Sequence, residues 1–334
     1  MKHRPPSGPP AGTAGVSPAA QALPSRATQS SSHDSTRRAA GETPAVPADD
    51  FHAAARIAVD GVHYAVREWG AGPPLVLLHG FTGSGALWSE HAAVLGARFR
   101  VIAPDLLGHG DSDAPPDAAR YAMPRALADL AALLDALDVA RAAVLGYSFG
   151  GRMALAFAVE HPERVVALVL EGASPGIADP DERAARRAAD EALAARLERD
   201  GLAAFVDAWM AQPLFATQAA LPDEVRAAAR AARLRNDPIG LAACLRGLGT
   251  GSQPSYWHRL HELPMPTLLL AGERDTKFQA LARAMHESIP EATLRVVPGA
   301  GHTTHLENPA AFRRLARGFL GPLLALDAAL TPDS

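Results

Sequence analysis

Short unbroken apolar runs recur along the chain, and loops that contain Gly or Pro follow them. Such runs are typical of strands that are buried on both faces of a parallel sheet. They lie at residues 75–78, 99–103, 142–145, 165–170, 267–271 and 293–297. Segments whose apolar residues recur at helical spacing lie at 86–95, 121–137, 151–160 and 309–324. This alternation predicts an α/β fold with a mostly parallel, doubly wound sheet.

Two segments with alternating apolar and polar residues, 56–59 and 62–66, flank the dipeptide Asp60-Gly61. Asp-Gly between alternating segments is typical of a type I′ turn, because both central residues of that turn need a positive φ. We therefore expect an antiparallel hairpin ahead of the first parallel strand.

The alternation of strands and helices stops after residue 176. Residues 180 to about 260 contain no strand-like run, and their Ala-, Arg- and Leu-rich segments are separated by Pro213, Pro222 and Pro238. Proline ends helices, so this region predicts several helices separated by these prolines. We expect a helical cap at 177–260, inserted into an α/β core formed by residues 51–176 and 261–328.

The first 50 residues differ in composition from the rest of the chain. They contain eight prolines, ten alanines and seven serines, but only Val16, Leu23 and Val46 among the large aliphatic residues. Such a segment buries too little apolar surface to offset the loss of chain entropy on folding. We predict that residues 1–50 form a disordered tail.

Charge and cysteine content narrow the function classes. The formal net charge of −4 gives no sign of a nucleic-acid or membrane-surface partner. The single cysteine, Cys244, excludes an intrachain disulfide framework and a multi-cysteine metal site. No apolar run is long enough to span a membrane, and we expect a cytoplasmic protein without a metal ion or cofactor. The oligomeric state is left open.

A G-x-S-x-G motif lies between a predicted strand and a predicted helix. Its residues are Gly146, Tyr147, Ser148, Phe149 and Gly150. In a strand-turn-helix context this motif makes a nucleophile elbow, which holds the serine in a strained conformation with its hydroxyl exposed. Ser148 is therefore the candidate nucleophile or base.

A serine needs a histidine to take its proton, and the histidine needs a carboxylate to fix its tautomer. Asp275 and His302 each follow the carboxyl end of a predicted strand, and the order Ser, Asp, His is that of the α/β-hydrolase triad. Parallel strands place all three residues at one edge of the sheet. We predict the triad Ser148, Asp275 and His302.

Other residues compete for these roles. His305 is an alternative to His302, and Glu273 and Glu171 are alternatives to Asp275. His79 is a tempting base in the loop 79–83, although a His-Gly dipeptide there more often shapes the loop. Asp105 lies in a turn and is interpreted as structural.

Two backbone amides are candidates for an oxyanion hole. The amide of Phe149 follows the serine, and the loop after the early strand offers the amide of Phe81. We expect both N–H groups to face an oxyanion formed beside the Ser148 hydroxyl.

Over roughly residues 55–324 the chain resembles the α/β-hydrolase superfamily. The resemblance rests on the elbow, the loop 79–83, D-x-x-G-H-G at 105–110 and Gly-Ala-Gly-His at 299–302. It implies the α/β-hydrolase fold with an inserted helical cap, but it leaves the substrate open, because this scaffold carries many chemistries.

A narrower resemblance extends into the cap. The chain is similar to the 2-succinyl-6-hydroxy-2,4-cyclohexadiene-1-carboxylate synthase family of menaquinone biosynthesis. The segments that carry this resemblance are 146–152, 171–176, 181–186, 212–216, 272–278 and 299–309. It implies a lyase that eliminates pyruvate from a succinyl-enolpyruvyl-cyclohexene carboxylate, with a small polycarboxylate as substrate.

A polycarboxylate site needs cations, and the resemblance implies which residues supply them. Arginine offers a planar fork that binds a carboxylate through two hydrogen bonds. The substrate-binding residues implied by the resemblance are Tyr147, Arg152, Arg186, Trp209 and Arg233, with Arg235 as an alternative to Arg233. Arg152 also lies at the start of the helix that follows the elbow, where the helix dipole favours an anion.

The same triad fits two chemistries. In the lyase interpretation Ser148 acts as a base with His302 and Asp275, and no acyl intermediate forms. In the alternative, a serine hydrolase cleaves esters or C–C bonds of an acidic substrate through a covalent intermediate. A non-catalytic receptor on this fold is a further alternative, which the complete triad disfavours.

Overall fold

Eight strands form a single sheet in the part of the chain that the computed structural model describes, residues 54–330. Their order is β1-β2-β4-β3-β5-β6-β7-β8, and every pair from β4 to β8 is parallel, whereas β2 is antiparallel to both neighbours. The strands are β1 Ala55–Val59, β2 Val62–Trp69, β3 Pro74–Leu78, β4 Arg100–Pro104, β5 Ala142–Tyr147, β6 Val165–Glu171, β7 Thr267–Gly272 and β8 Ala292–Val297. The predicted fold class is confirmed.

The turn between β1 and β2 has the predicted geometry. Asp60 and Gly61 have φ values of 45° and 77°, so both central residues lie in the left-handed region. Val59 pairs with Val62 directly across the turn. The Asp-Gly dipeptide therefore sets the register of the antiparallel end of the sheet.

Helices cover both faces of the sheet. The helices before residue 177 are α1 Ser89–Leu95, α2 Met123–Ala136 and α3 Phe149–Glu160. Those after residue 260 are α7 Thr276–Ser288, α8 Thr304–Glu307 and α9 Pro309–Leu330, and α4 to α6 lie between the two groups. Apolar residues of α2, α3 and α7 pack on one face, and those of α1 and α9 pack on the other. Two apolar layers thus enclose the sheet, as a doubly wound fold requires.

The sequence pattern did not predict α7. Its first residues, Thr276, Lys277 and Phe278, follow Asp275 directly, and the Asp275 side chain accepts a hydrogen bond from the Phe278 N–H at 3.1 Å. An aspartate at this position is a helix N-cap. The capping signal was therefore present, but Asp275 was interpreted only as a catalytic acid.

Residues 177–260 contain helices and no strand, as predicted. They form α4 Pro180–Met210, α5 Asp223–Arg233 and α6 Pro238–Leu248, with a 3₁₀ segment at Pro213–Ala220. Gly201, with φ 82° and ψ 166°, interrupts α4. We propose that this segment is a cap over the carboxyl ends of the strands, and we use the name cap for residues 177–260.

None of the helices within the described part of the chain is both long and apolar enough to cross a membrane. The predicted disordered tail, residues 1–50, lies outside the described residues.

Candidate active site

Ser148 occupies a strained turn between β5 and α3. Its φ of 50° and ψ of −104° are unusual for a residue with a side chain. Strand and helix approach closely here: a Cβ on Gly146 would lie 2.3 Å from the carbonyl oxygen of Gly150. Only glycine fits such an approach. The local geometry is that of a nucleophile elbow.

The predicted triad residues lie together. Nε2 of His302 lies 3.0 Å from the Ser148 hydroxyl oxygen, and Nδ1 of His302 lies 2.8 Å from Oδ2 of Asp275. An ionised carboxylate only accepts hydrogen bonds, so Nδ1–H donates to Asp275 and Nε2 is left to accept the Ser148 proton. The Phe278 N–H holds the second oxygen of Asp275.

The competing acids have other partners. The buried carboxylate of Glu171 accepts hydrogen bonds from His305 and Thr304, and Glu273 accepts one from the Gly299 N–H. Neither contacts His302 by a hydrogen bond in the described residues. The geometry therefore favours Asp275 as the acid and His302 as the base.

Both ring nitrogens of His79 are engaged by backbone groups in or next to the loop 79–83. Its Nε2 accepts from the Leu106 N–H at 2.9 Å, and its Nδ1 lies 2.9 Å from the Gly80 carbonyl oxygen. Burial lowers the pKa of His79 to about 4. A neutral ring with both nitrogens engaged shapes this loop and has no free position for proton transfer. Asp105 is likewise structural: it is buried and accepts from Arg67 and the Gly85 N–H.

The two candidate oxyanion donors flank the elbow. Phe149 is the first residue of α3, where a helix N–H has no partner within the helix. Phe81 lies in the turn closed by the Gly83 N–H and the Gly80 carbonyl, which leaves its own N–H out of that bond. The two side-chain rings meet edge to face, 6.3 Å apart.

Arg152 is buried beside the elbow and has no acidic partner within the described residues. Its Nη1 and Nη2 both donate to the Leu248 carbonyl at 3.1 Å, and Nη1 also donates to the side-chain oxygen of Gln253. Within the described part of the chain, these bonds leave the edge formed by Nε–H and the second Nη2 hydrogen without a hydrogen-bond partner, and this edge is a fork that can bind a carboxylate. Burial, with Arg186 nearby, lowers the pKa of Arg152 to about 10, so it stays charged at neutral pH.

Arg186 is half-exposed and paired. Its Nε donates to Oδ1 of the buried Asp190 at 2.7 Å, one helical turn further along α4. Oδ2 of Asp190 accepts from the Gly251 N–H at 3.1 Å, two residues before Gln253. One buried acid thus links Arg186 to the loop that holds Arg152.

Arg233, and not Arg235, points inward. Arg233 is 8% exposed, its Nη1 donates to the Ala229 carbonyl, and its Nε has no partner among the described residues. Arg235 is exposed. Burial lowers the pKa of Arg233, and proximity to Tyr147 partly opposes this. A buried cation without an acid is costly unless an anion binds there.

The Tyr147 ring packs beside His302, and Trp209 lies in an aromatic group with Phe81. The Tyr147 hydroxyl forms a 2.7 Å hydrogen bond with Oγ1 of Thr303, next to His302. Burial raises the pKa of Tyr147, so the hydroxyl keeps its proton. The half-buried Trp209 ring from α4 packs 5.1 Å from Phe81. Tyr147 therefore lies next to His302 and Trp209 next to Phe81, and that both line a substrate pocket stays a prediction.

Several polar residues of the site were missed. Gln253 and Asp190 hold the arginines, and Gln218 of the cap donates to Thr303 at 2.9 Å. The contacts of Gln253 with Arg152 and of Gln218 with Thr303 join residues 101 and 85 positions apart, and no local pattern marks such pairs, whereas Arg186 and Asp190 form a local i,i+4 pair that was overlooked. Among the described residues, no group of His, Cys, Asp and Glu is arranged to hold a metal ion.

Comparisons with known proteins identify the family of this chain. The sequence profile of the alpha/beta hydrolase fold family matches residues 73–309. A Bacillus subtilis (strain 168) protein, provisionally named 2-succinyl-6-hydroxy-2,4-cyclohexadiene-1-carboxylate synthase, is 46% identical over 78% of this chain and 96% of its own length. The chain belongs to this synthase family of α/β-hydrolase-fold enzymes. A synthase-family protein of Enterobacter sp. (strain 638) is 36% identical over 72% of this chain and 88% of its own length.

Solved structures show the same relationship. The structure of MenH from S. aureus matches with a TM-score of 0.75 and 35% identity, over 78% of this chain and 98% of that one. A thermophilic esterase from Thermogutta terrifontis, with malate bound, matches with a TM-score of 0.73 and 29% identity over 81% and 99% of the two chains. Synthase-family and esterase structures therefore share this fold.

Proposed function

We propose that this synthase-family member is a carbon–oxygen lyase of menaquinone biosynthesis. It eliminates pyruvate from 2-succinyl-5-enolpyruvyl-6-hydroxy-3-cyclohexene-1-carboxylate and leaves 2-succinyl-6-hydroxy-2,4-cyclohexadiene-1-carboxylate. The observation that carries the proposal is the 46% identity to the Bacillus subtilis protein over nearly its whole length. The geometry at Ser148 supports the chemistry.

In the proposed reaction, Ser148 removes a ring proton from the substrate while His302 takes the serine proton. The electrons of the broken C–H bond form a new ring double bond at position 2, the double bond at position 3 moves to position 4, and the C–O bond to the enolpyruvyl group breaks. The leaving pyruvate enolate then takes back a proton from the His302 imidazolium. Asp275 stabilises that imidazolium and keeps the ring oriented.

The negative charge that develops on a substrate oxygen needs donors. We propose that the Phe81 and Phe149 amides supply them, a contribution of about 3–4 kcal/mol per donor in comparable sites. Phe149 lies at the start of α3, where the helix dipole adds a favourable interaction with an anion, and Phe81 lies in the loop 79–83.

The arginines support a substrate with several carboxylates. Arg152 and Arg233 are buried without an acidic partner in the described residues. Arg186 forms a hydrogen bond with the buried Asp190. We propose that Arg152 binds one substrate carboxylate through its free edge and that Arg186 and Arg233 bind others, with Tyr147 and Trp209 lining the pocket.

The cellular location, the absence of a cofactor and the kind of partner belong to the same proposal. The composition favours a cytoplasmic enzyme that acts on a small molecule, without a cofactor and without a nucleic-acid or membrane partner.

The function is tested by following pyruvate release from the substrate generated in situ, in an assay coupled to NADH oxidation. The proposal expects release well above the spontaneous rate. Release at the spontaneous rate by correctly folded protein would contradict it.

The hydrolase alternative has one observation in its favour, the esterase structure that matches with a TM-score of 0.73. It predicts a burst of nitrophenol from a nitrophenyl ester, because an acyl-enzyme would accumulate. The lyase proposal expects pyruvate release and no such burst.

A further inference from the structure

A second carboxylate–histidine pair lies directly behind the proposed triad. Oε2 of Glu171 lies 2.9 Å from Nδ1 of His305, and Oε1 accepts hydrogen bonds from the His305 N–H at 3.0 Å and the Thr304 hydroxyl at 2.7 Å. Glu171 is fully buried and His305 nearly so. One carboxylate therefore holds the two residues that come two and three positions after His302.

The same residue holds the nucleophile from the other side. The Glu171 carbonyl accepts a hydrogen bond from the Ser148 N–H at 2.8 Å. The next residue, Gly172, has a φ of 55°, and a Cβ there would lie 2.8 Å from Cε1 of His302. The end of β6 thus contacts both the strained serine and the catalytic ring.

The remaining sides of the turn are fixed by Tyr147 and Thr303. The Tyr147 hydroxyl bonds to Oγ1 of Thr303, and the Tyr147 ring packs 4.7 Å from the His305 ring. Tyr147 also pairs with Glu171 in the sheet. Hydrogen bonds and ring contacts therefore connect Tyr147, Thr303, His305 and Glu171 around the turn that carries His302.

The electrostatics suit a charged carboxylate at this point. Burial alone raises the pKa of Glu171, but the charge and hydrogen bonds of His305 and the Thr304 hydroxyl outweigh it, so that the pKa is lowered. Burial lowers the pKa of His91, whose ring lies 5.8 Å from His305, to about 3. His91 is therefore neutral and does not repel the pair.

We propose that Glu171 and His305 position the triad: they lock the turn 302–305 against the Ser148 elbow and thereby set the distance between His302 Nε2 and the serine hydroxyl. The proposal rests on the triad assigned under the proposed function. Glu171 and His305 are positioning residues, since neither touches the reacting atoms. A displacement of about 1 Å between reacting groups can cost about 10²-fold in rate.

The test compares Glu171→Gln with the parent protein. Two rates are measured: covalent labelling of Ser148 by a fluorophosphonate, which needs the activated serine but no natural substrate, and pyruvate release at saturation. We expect both to fall by about 10-fold to 100-fold, with KM changed less than about twofold. Thr304→Val removes one hydrogen bond to the same carboxylate without changing its charge, and a smaller fall in both rates is expected.

Asp129→Asn is the matched control. Asp129 is also buried and bonded, to Arg120 and Tyr64, but it lies on α2 and contacts no residue of the site. Both acids contribute to stability, so both variants are expected to melt at lower temperature. Only Glu171→Gln should slow labelling in folded protein.

The outcomes separate the two proposals. Parental labelling and turnover in folded Glu171→Gln would overturn the positioning role, and so would an equal loss in Asp129→Asn. If Glu171→Gln does not fold, parental rates in Thr304→Val overturn it. If the fluorophosphonate labels the parent protein but no pyruvate is released, the lyase proposal alone is contradicted. If the parent protein is neither labelled nor releases pyruvate, the proposed triad and this inference are both contradicted.

Discussion

The hydroxyl of Ser148 and Nε2 of His302 are 3.0 Å apart, although 154 positions separate the residues in sequence. They meet because Ser148 follows β5 and His302 follows β8, whose carboxyl ends lie at the same edge of the sheet. Asp275 follows β7, between them in the chain. The mostly parallel sheet thus brings residues of three loops together at one edge, and we propose that the cap adds arginines to this site.

The first prediction concerns the acid. In Asp275→Asn the amide no longer fixes the His302 tautomer or stabilises its charge, so kcat for pyruvate release should fall by about 10³-fold to 10⁴-fold. Steady-state kinetics by the coupled assay measure it. Glu273→Gln is the control, because within the described part of the chain the Glu273 carboxylate accepts a hydrogen bond only from the Gly299 N–H, and this variant should keep nearly parental kcat. A larger loss of kcat in Glu273→Gln than in Asp275→Asn would identify Glu273, and not Asp275, as the acid.

A second prediction concerns carboxylate binding. Arg152→Lys keeps the positive charge but lacks the planar fork, so we expect KM to rise by about 10-fold to 100-fold, corresponding to one or two charge-assisted hydrogen bonds. The control is Arg230→Lys, since Arg230 is exposed and bonded to Asp207. An unchanged KM in Arg152→Lys would remove Arg152 from the binding site.

Backbone strain at Ser148 gives a third prediction. Glycine tolerates φ 50° and ψ −104° far better than a residue with a Cβ, and strain of this kind costs about 1–3 kcal/mol. Ser148→Gly should therefore melt at a higher temperature than Ser148→Ala, while both are inactive. Equal melting temperatures in calorimetry would show that the elbow stores no such strain.

The buried His79 predicts a dependence of stability on pH. Its pKa is about 4 in the folded protein and about 6.5 in the unfolded chain. Between these two pH values the imidazole is protonated in the unfolded chain but not in the folded protein. Its contribution is complete above pH 6.5 and is lost as the pH falls toward 4. In urea titrations between pH 6 and 5, the unfolding free energy of His79→Gln should fall less steeply than the parent's, by about 1 kcal/mol per pH unit. Parallel slopes would contradict this.

The sequence predicted the features that local patterns encode. Apolar runs predicted the parallel strands, the Asp60-Gly61 dipeptide predicted the hairpin, and the motif at Ser148 predicted the elbow. Asp275 and His302 were predicted because loops after parallel strands converge on one edge. Each inference needed only a short segment and one rule of packing.

Several of the missed features depend on contacts between distant segments, whereas the Arg186–Asp190 pair and the N-cap of α7 are local. Glu171 was considered only as an alternative acid, yet its side chain bonds to His305, 134 positions away. Asp190 and Gln253 received no role, because their importance lies in the arginines that they hold. Helix α7 was missed because its N-cap was interpreted through its catalytic role alone.

The most direct test of the account compares pyruvate release by the parent protein and by Ser148→Ala, with the uncatalysed reaction alongside. The account predicts fast release by the parent and release at the spontaneous rate by a folded Ser148→Ala. Pyruvate release by Ser148→Ala at the parental rate would contradict the central claim, that Ser148 removes the proton which starts the elimination.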